Sequence, residues 1–574
     1  MNPPSSVHSP ADFTRSTWDE IAPLYAALAD RPLDRDNVED WLRAWSHLEE
    51  ALVEAAALAM IAYTCDTADP AKEAAHLRFS GGILPRVEEQ EVRLAGRLLA
   101  LGYTRPDLEV TLARLRTQRE LFRPENVPLM SALEELGTSY QKITGAITVP
   151  WEGQEKTIPQ LQIYLRSPDR AVRERAFRSA SGAYVTLHDQ LADLFDQLFA
   201  LRSRIAGNAG FSDFRDYTFR AKCRFDYSPA DCARFQRAVE QVVVPAVGRI
   251  LERRRRRLQV ETLRPWDLGA DLERRDPLRP FGEVGELIAK SRMIFDRVAP
   301  VLGREFQILA DEHLLDLGSR KGKAPGGYCE MLHFRGRPFI FMNAVGVAED
   351  VSTLLHESGH AFHAFAAHSQ PLIWQRQPGM EMCELASMSM ELLASPYLGV
   401  EQGGFFRPHE LARARIEHLE DILLSLTHIA SVDAFQSWIY TSGQGGDRDA
   451  RDRAWLEIRR RFEPALDWSG LGAERLARWY RQLHIFLYPF YYIEYGIAQL
   501  GALQIWRNSL HDQADAVRRY RSALALGATR PLPALYQAAG ARLTFDAATI
   551  GELATFVERH IEAWEAGIAE LPAA

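Results

Sequence analysis

The stretch Asp350–Phe365 reads DVSTLLHESGHAFHAF. Val351, Leu354, Leu355, Phe362 and Phe365 recur at the steps of one helical face, so the stretch predicts a helix with a buried stripe. His356 and His360 stand four residues apart, which puts both imidazoles on the same face about one turn apart. Two ring nitrogens so placed can share one tetrahedral zinc ion at about 2.0–2.1 Å. Glu357 is offset around the helix and can reach a water on the metal rather than the metal itself. This is the pattern H-E-x-x-H, whose mechanical reading is a metallopeptidase. The plainer alternative is a helix with incidental histidines, but this one is apolar enough to be buried, and buried imidazoles need partners.

Two histidines leave a hydrolytic zinc site incomplete, because such sites use three protein ligands and keep the fourth place open. His363 lies nearly two turns from His356, a long reach to a shared ion, and is counted among the candidate substrate contacts instead. A carboxylate from a following helix is the alternative. Met380–Ala394, MEMCELASMSMELLA, has helix boundaries at Pro378–Gly379 and Pro396 and offers Glu381, Glu384 and Glu391. A carboxylate on so apolar a helix is costly unless paired or coordinated. Spacing leaves all three open.

Downstream, His484–Gly496 reads HIFLYPFYYIEYG and gathers His484, Tyr488, Tyr491, Tyr492 and Tyr495. Aromatic packing accounts for some of these. Peptide hydrolysis also needs a donor for the oxyanion of the tetrahedral intermediate, a role worth about 2.7–4 kcal/mol that a tyrosine or histidine can fill. Upstream, Leu317–Ala344 contains Gly318, Gly322, Gly326 and Gly327 and then the alternating run Arg337–Asn343, which predicts a glycine-rich loop and a strand of a small sheet. No G-K-[ST] follows, so this is not a phosphate loop.

Helical periodicity dominates elsewhere, over Val38–Cys65, Val87–Leu101 and Leu108–Leu121 among others. The stretch 145–161 predicts a hairpin turning at Glu152–Gly153, and Ser167–Pro168–Asp169 predicts the start of a long helix to about Ala206. Gly207–Asp216 then divides an N-terminal helical region, 1–206, from a catalytic region, 207–574.

Of 574 residues, 47% are hydrophobic and 25% charged, an ordinary globular balance. Acids outnumber bases by 77 to 68, a net charge of −9, which suits neither phosphate backbones nor nucleic-acid partners. The run Arg253–Arg257 ends an amphipathic helix and reads as a solvated face that complements the helix dipole. Five scattered cysteines with no Cys-x-x-Cys fit a reducing compartment. Met1–Phe13 lacks a signal-peptide pattern, and the longest apolar stretch, Ala51–Tyr63, is too short to span a bilayer. A cytoplasmic protein with no membrane partner is expected.

Four segments together resemble the thimet oligopeptidase / oligoendopeptidase F family of zinc peptidases, with the bacterial oligoendopeptidase F branch closest. They are GKAPGGYCEM (322–331), HESGHAFH (356–363), ELASMSME (384–391) and YPFYYIEYGIAQLGA (488–502), in the family's order. The resemblance covers at least Gly207 to the C-terminus. It implies a mainly α, two-lobed oligopeptidase with a deep substrate channel, a small β-sheet beside the zinc-binding helix, and one Zn2+ per chain. It makes His356, His360 and Glu384 the zinc ligands, since only Glu384 begins a Glu-x-x-Ser segment, and Glu357 the general base. Tyr488 and Tyr495 fall on the family's catalytic tyrosine pair, His484 on its neighbouring histidine, and Gly326, Gly327 and Tyr328 on its substrate-contacting loop. Glu391, on the same face as Glu384, is a candidate for orienting a zinc-bound histidine. The strand Phe339–Met342 would be an edge for an extended peptide. The implied activity is endopeptidase cleavage of short unstructured peptides; the rivals are a dipeptidyl carboxypeptidase of the same superfamily and a non-catalytic peptide-binding protein.

Overall fold

The computed structural model describes residues 8–567 apart from 274, 321 and 325. Part of the stretch on which the absence of a signal peptide rests, residues 1–7, lies outside them. Helices dominate, around two hydrophobic cores. The smaller draws on residues 13–115 and Leu372; the larger runs from Ala57 to Trp564 and holds every motif described above. Helix α1 (Val38–Cys65) serves both, with Trp41 and Trp45 in the smaller core and Ala57 and Ile61 in the larger. Among the described residues no helix is long and apolar enough to cross a membrane.

The hairpin forms as β1 (Thr148–Trp151) and β2 (Gln154–Thr157), antiparallel. Its two turn residues have φ of 51° and 77°, the left-handed pair that matches strand twist in a two-residue loop. The long helix expected after Ser167 differs in two ways. Asp169 is the N-cap, its carboxylate accepting from the Ala171 N–H, and the helix runs only over Arg170–Thr186 before a second spans His188–Asn208. The break follows the β-branched pair Val185–Thr186, and the Thr186 hydroxyl bonds back to the Gly182 carbonyl at 3.0 Å, a contact that bends helices.

The basic run is not simply solvated. Arg254 is buried and donates to Glu420 (2.5 Å) and the Ala270 carbonyl (2.7 Å), while Arg255 and Arg256 pair with Glu252 and Arg257 with Glu565. Arg256, 72% exposed, keeps the solvated character expected of the run.

The second sheet holds β3 (Leu315–Gly318), β4 (Tyr328–Leu332) and β5 (Arg337–Ala344) in the order β3–β5–β4, with β5 parallel to β3 and antiparallel to β4. The strand Phe339–Met342 is therefore central, not the free edge expected for it; β4 is the edge that continues from the glycine loop. The physical reason is burial on both faces, since Pro338 to Met342 are all buried, and an uninterrupted apolar run marks an inner strand.

Of the helices that follow, six bear on the site: α2 (Ala348–Ala367), α3 (Met380–Ala394), α4 (Pro408–Thr441), α5 (Arg448–Phe462), α6 (Leu483–Leu487) and α7 (Tyr492–His511). The sheet packs on α2, α2 on α3, and α3 on α7. One oxygen of Asp350 accepts from the backbone N–H of Val345, Gly346 and Val347 at 2.7–2.9 Å, which fixes the entry from β5 into α2.

Gly359 sets how closely α2 and α3 approach. A Cβ there would lie 2.5 Å from Ser387 Cα and 2.7 Å from the Ala386 carbonyl oxygen, both backbone atoms that cannot swing aside. Gly359→Ala is expected to push the helices apart, destabilising the protein by about 1–3 kcal/mol. Equilibrium denaturation checks this; an unchanged midpoint would show that the interface tolerates the methyl group.

Candidate metal centre

The expected ligands converge. The rings of His356 and His360 on α2 lie 5.0 Å apart and nearly perpendicular. From α3, Glu384 Oε2 stands 3.3 Å from His356 Nε2 and 3.8 Å from His360 Nε2. A tetrahedral ion with bonds of about 2.0–2.1 Å needs donors about 3.3–3.4 Å apart, so these sit within a few tenths of an ångström of the requirement. Their donor atoms all lie within 4.8 Å of one another, and no other His/Cys/Asp/Glu group among the described residues converges so.

Each donor is aimed from behind. His356 Nδ1 bonds Glu391 Oε1 at 2.8 Å, which leaves Nε2 for the site, and the other Glu391 oxygen is held by His418 Nε2 of α4 at 3.1 Å. The Cys383 backbone favours the charged form of the His360 ring, whose pKa burial nonetheless lowers to about 4. Glu384 Oε1 accepts from the Tyr491 hydroxyl at 2.7 Å, and Ser387 Oγ donates to Glu384 Oε2 at 3.2 Å. The three glutamates of α3 thus part company. Glu381 turns away to accept from the Tyr227 hydroxyl at 2.6 Å, Glu384 faces the histidines, and Glu391 lies behind His356.

The charges of the donor set are compatible with a cation. Burial pushes the Glu384 and Glu391 carboxyls up, yet hydrogen bonds from His356, with Tyr491 and His360 acting on Glu384 and His418 on Glu391, bring both down to about 2. Burial opposes charge on His356, but the same two carboxylates raise its pKa well above the ordinary value. Two carboxylates, Glu384 buried and Glu391 half-buried, around one imidazole call for positive charge between them, which a protonated His356 supplies here and a divalent ion on these donors would supply in its place. The residues fit a metal.

Glu357 lies outside this donor set and is 7% exposed. Burial pushes its carboxyl up to about 7, Glu384 and Glu391 adding to the shift and His356 opposing it. The glycine loop passes directly over it: a Cβ on Gly327 would lie 3.6 Å from Glu357 Oε1 and 3.4 Å from the Phe341 carbonyl oxygen. Gly326 has φ of +101°, a value open to glycine, and Asn343 Nδ2 donates to the Ala324 and Gly326 carbonyls at 2.8 and 3.0 Å, pinning the loop to β5. The Tyr328 ring stacks on Phe341 at 4.7 Å and its hydroxyl pairs with Thr64 of α1 at 2.6 Å, bracing the loop. His363 is 4% exposed, its Nε2 buried without a hydrogen-bond partner, so the structure places it in the core rather than on an accessible face.

The tyrosine segment breaks between α6 and α7. Phe490 there has φ of +61°, held by its N–H donating to Gln436 Oε1 at 2.7 Å and its carbonyl accepting from Arg224 at 2.5 Å. His484 on α6 lies 5.7 Å from Tyr491 and 5.9 Å from Tyr495, ring to ring, and the two tyrosine rings are 5.0 Å apart. Tyr488 ends α6 with 53% of its surface exposed, 6.1 Å from the His484 ring. Two contributors were not assigned from sequence. Tyr491 stood out only as one tyrosine among several, and nothing marked His418 among 16 histidines.

Glu391→Gln keeps the side chain's shape but loses the charge on which His356 and His418 converge. Metal affinity is expected to fall about 10- to 100-fold, as outer-shell changes do. Competition with a chelator measures it, and wild-type affinity would show that Glu391 does not support His356.

The profile of peptidase family M3 matches residues 163–555, and that of the peptidase M3 N-terminal domain matches residues 8–114. An oligoendopeptidase F homolog of Borreliella burgdorferi is 22% identical over 448 residues, 73% of this chain and 71% of that protein. A solved structure of PZ peptidase A with an inhibitor superposes with a TM-score of 0.89 at 27% identity, over 96% of this chain and 98% of that one. A putative oligoendopeptidase F gives the same TM-score at 29% identity, over 97% of this chain and 99% of that one. The first profile alone takes in more than half of the sequence, including the α2, α3 and α7 segments that build the site. The chain belongs to peptidase family M3.

Proposed function

We propose that the protein is a zinc-dependent endopeptidase that hydrolyses internal bonds of short, unstructured peptides. The observation that carries this reading is a buried carboxyl, Glu357, that lies outside the converging His356–His360–Glu384 donor set and beneath a glycine loop. Zinc on those three residues would supply Lewis acidity, which polarises a carbonyl and acidifies water. Glu357 takes the proton of the attacking water and returns it to the leaving amine. Tyr495, with Tyr488 and His484, donates to the carbonyl oxygen as charge develops on it. Tyr491 holds Glu384 in place through its second oxygen. Gly326 and Gly327 let the backbone come close to the reacting bond, and the edge of β4 offers main-chain groups to an extended substrate. Five unpaired cysteines suit a cytoplasmic enzyme.

A fluorogenic peptide blocked at both ends tests this. Internal cleavage that a chelator abolishes and zinc restores is expected. Removal of dipeptides only from peptides with a free C-terminus would replace this reading with a dipeptidyl carboxypeptidase, and no cleavage of either kind would leave peptide binding alone.

A further inference from the structure

Behind His484 runs a chain of hydrogen bonds whose direction is set at its far end. Arg459 on α5 is buried, and a guanidinium only donates. One of its terminal nitrogens lies 3.0 Å from His428 Nδ1 and 2.5 Å from Ser431 Oγ. His428 Nδ1 must therefore accept, which places the proton of its neutral ring on Nε2. That Nε2 lies 3.0 Å from Gln482, so the amide oxygen Oε1 has to face it. The Gln482 NH2 group is then turned the other way, where it meets the Tyr492 hydroxyl oxygen at 2.6 Å and His484 Nδ1 at 3.3 Å. Flipping the amide would set donor against donor at His428. Burial lowers the pKa of both rings, His428 well below its ordinary value and His484 to about 4, so each is a neutral imidazole with one proton to place.

We infer that Gln482, oriented by His428 and Arg459, is a positioning residue that holds His484 in the Nε2–H tautomer. His484 Nδ1 is occupied as an acceptor, and Nε2 makes no hydrogen bond among the described residues, leaving a donor free for a ligand at the tyrosine cluster. Use of that N–H toward a substrate carbonyl rests on the peptidase reading; the tautomer rests on the relay alone.

The test is NMR of the zinc-loaded, full-length protein labelled with ring-15N histidine, with the His484 signals assigned by their loss in His484→Gln. Wild type is expected to show an unprotonated Nδ1 and a protonated Nε2. A carboxylate can only accept, so Gln482→Glu is expected to draw a proton onto Nδ1. A protonated Nδ1 in wild type, or His484 signals unmoved by Gln482→Glu, would overturn the inference, and the wild-type spectrum decides even if the variant folds poorly. On a blocked fluorogenic peptide, Gln482→Glu is expected to lose about tenfold or more in kcat with KM within about twofold. A switched tautomer with unchanged kcat would overturn only the catalytic use of the N–H. Absence of activity in wild type would strike the peptidase reading and leave the tautomer standing.

Discussion

Glu357→Gln is expected to bind zinc as the native protein does and to lose about 10²- to 10⁴-fold in kcat. The amide matches the carboxylate in shape, so the fold around it, including the close pass of Gly327, is kept. It cannot take a proton from water at neutral pH, which removes the step assigned to this residue and nothing else. Glu357 is not among the converging donors, so metal content and KM should barely move. Metal analysis alongside single-turnover and steady-state kinetics separates the possibilities. Loss of zinc would move Glu357 into the ligand set, and full activity would mean another group is the base.

Glu384→Ala is expected to abolish stoichiometric zinc binding, an affinity loss beyond the about 100-fold upper range of outer-shell changes. The substitution removes one of three donors and also strands the Tyr491 hydroxyl that holds it, while Ser387 Oγ keeps its bond to the residue 384 carbonyl. Glu381→Ala is the control, because it lies one helical turn away and still should not touch the metal. It leaves Tyr227 and the buried Arg224 short of a partner, so it should lower stability while keeping zinc. Chelator competition and thermal unfolding of both variants check this. Zinc loss from Glu381→Ala with retention in Glu384→Ala would reverse the assignment.

The contrast between those two glutamates shows where sequence reading stops. His356 and His360 were legible because a four-residue step fixes the geometry inside one helix, and that relation survives any packing. Which glutamate meets the two histidines depends on how α3 is rotated against α2, and that rotation is set by contacts such as the one at Gly359, which no local period encodes. Family resemblance supplied Glu384 where spacing left Glu381, Glu384 and Glu391 equal. The turn at Glu152–Gly153 and the extent of α1 were likewise local and matched. The β5 edge was misread because strand order is a long-range property, although the unbroken Phe-Ile-Phe-Met run carried the hint of an inner strand. His418, Gln482 and Arg459 act through partners on other helices, and their spacing along the chain carried no sign of it. His363 shared the motif's face in a helical projection, yet packing of α2 buried it.

The proposed activity requires one zinc ion held by two imidazoles of α2 and one carboxylate of α3. Anomalous diffraction at the zinc edge from crystals of the metal-loaded protein tests it most directly. A single peak about 2.0–2.2 Å from His356 Nε2, His360 Nε2 and a Glu384 oxygen is the predicted result. No peak at full zinc loading, or a peak bound by Glu381, His363 or residues elsewhere, would contradict it.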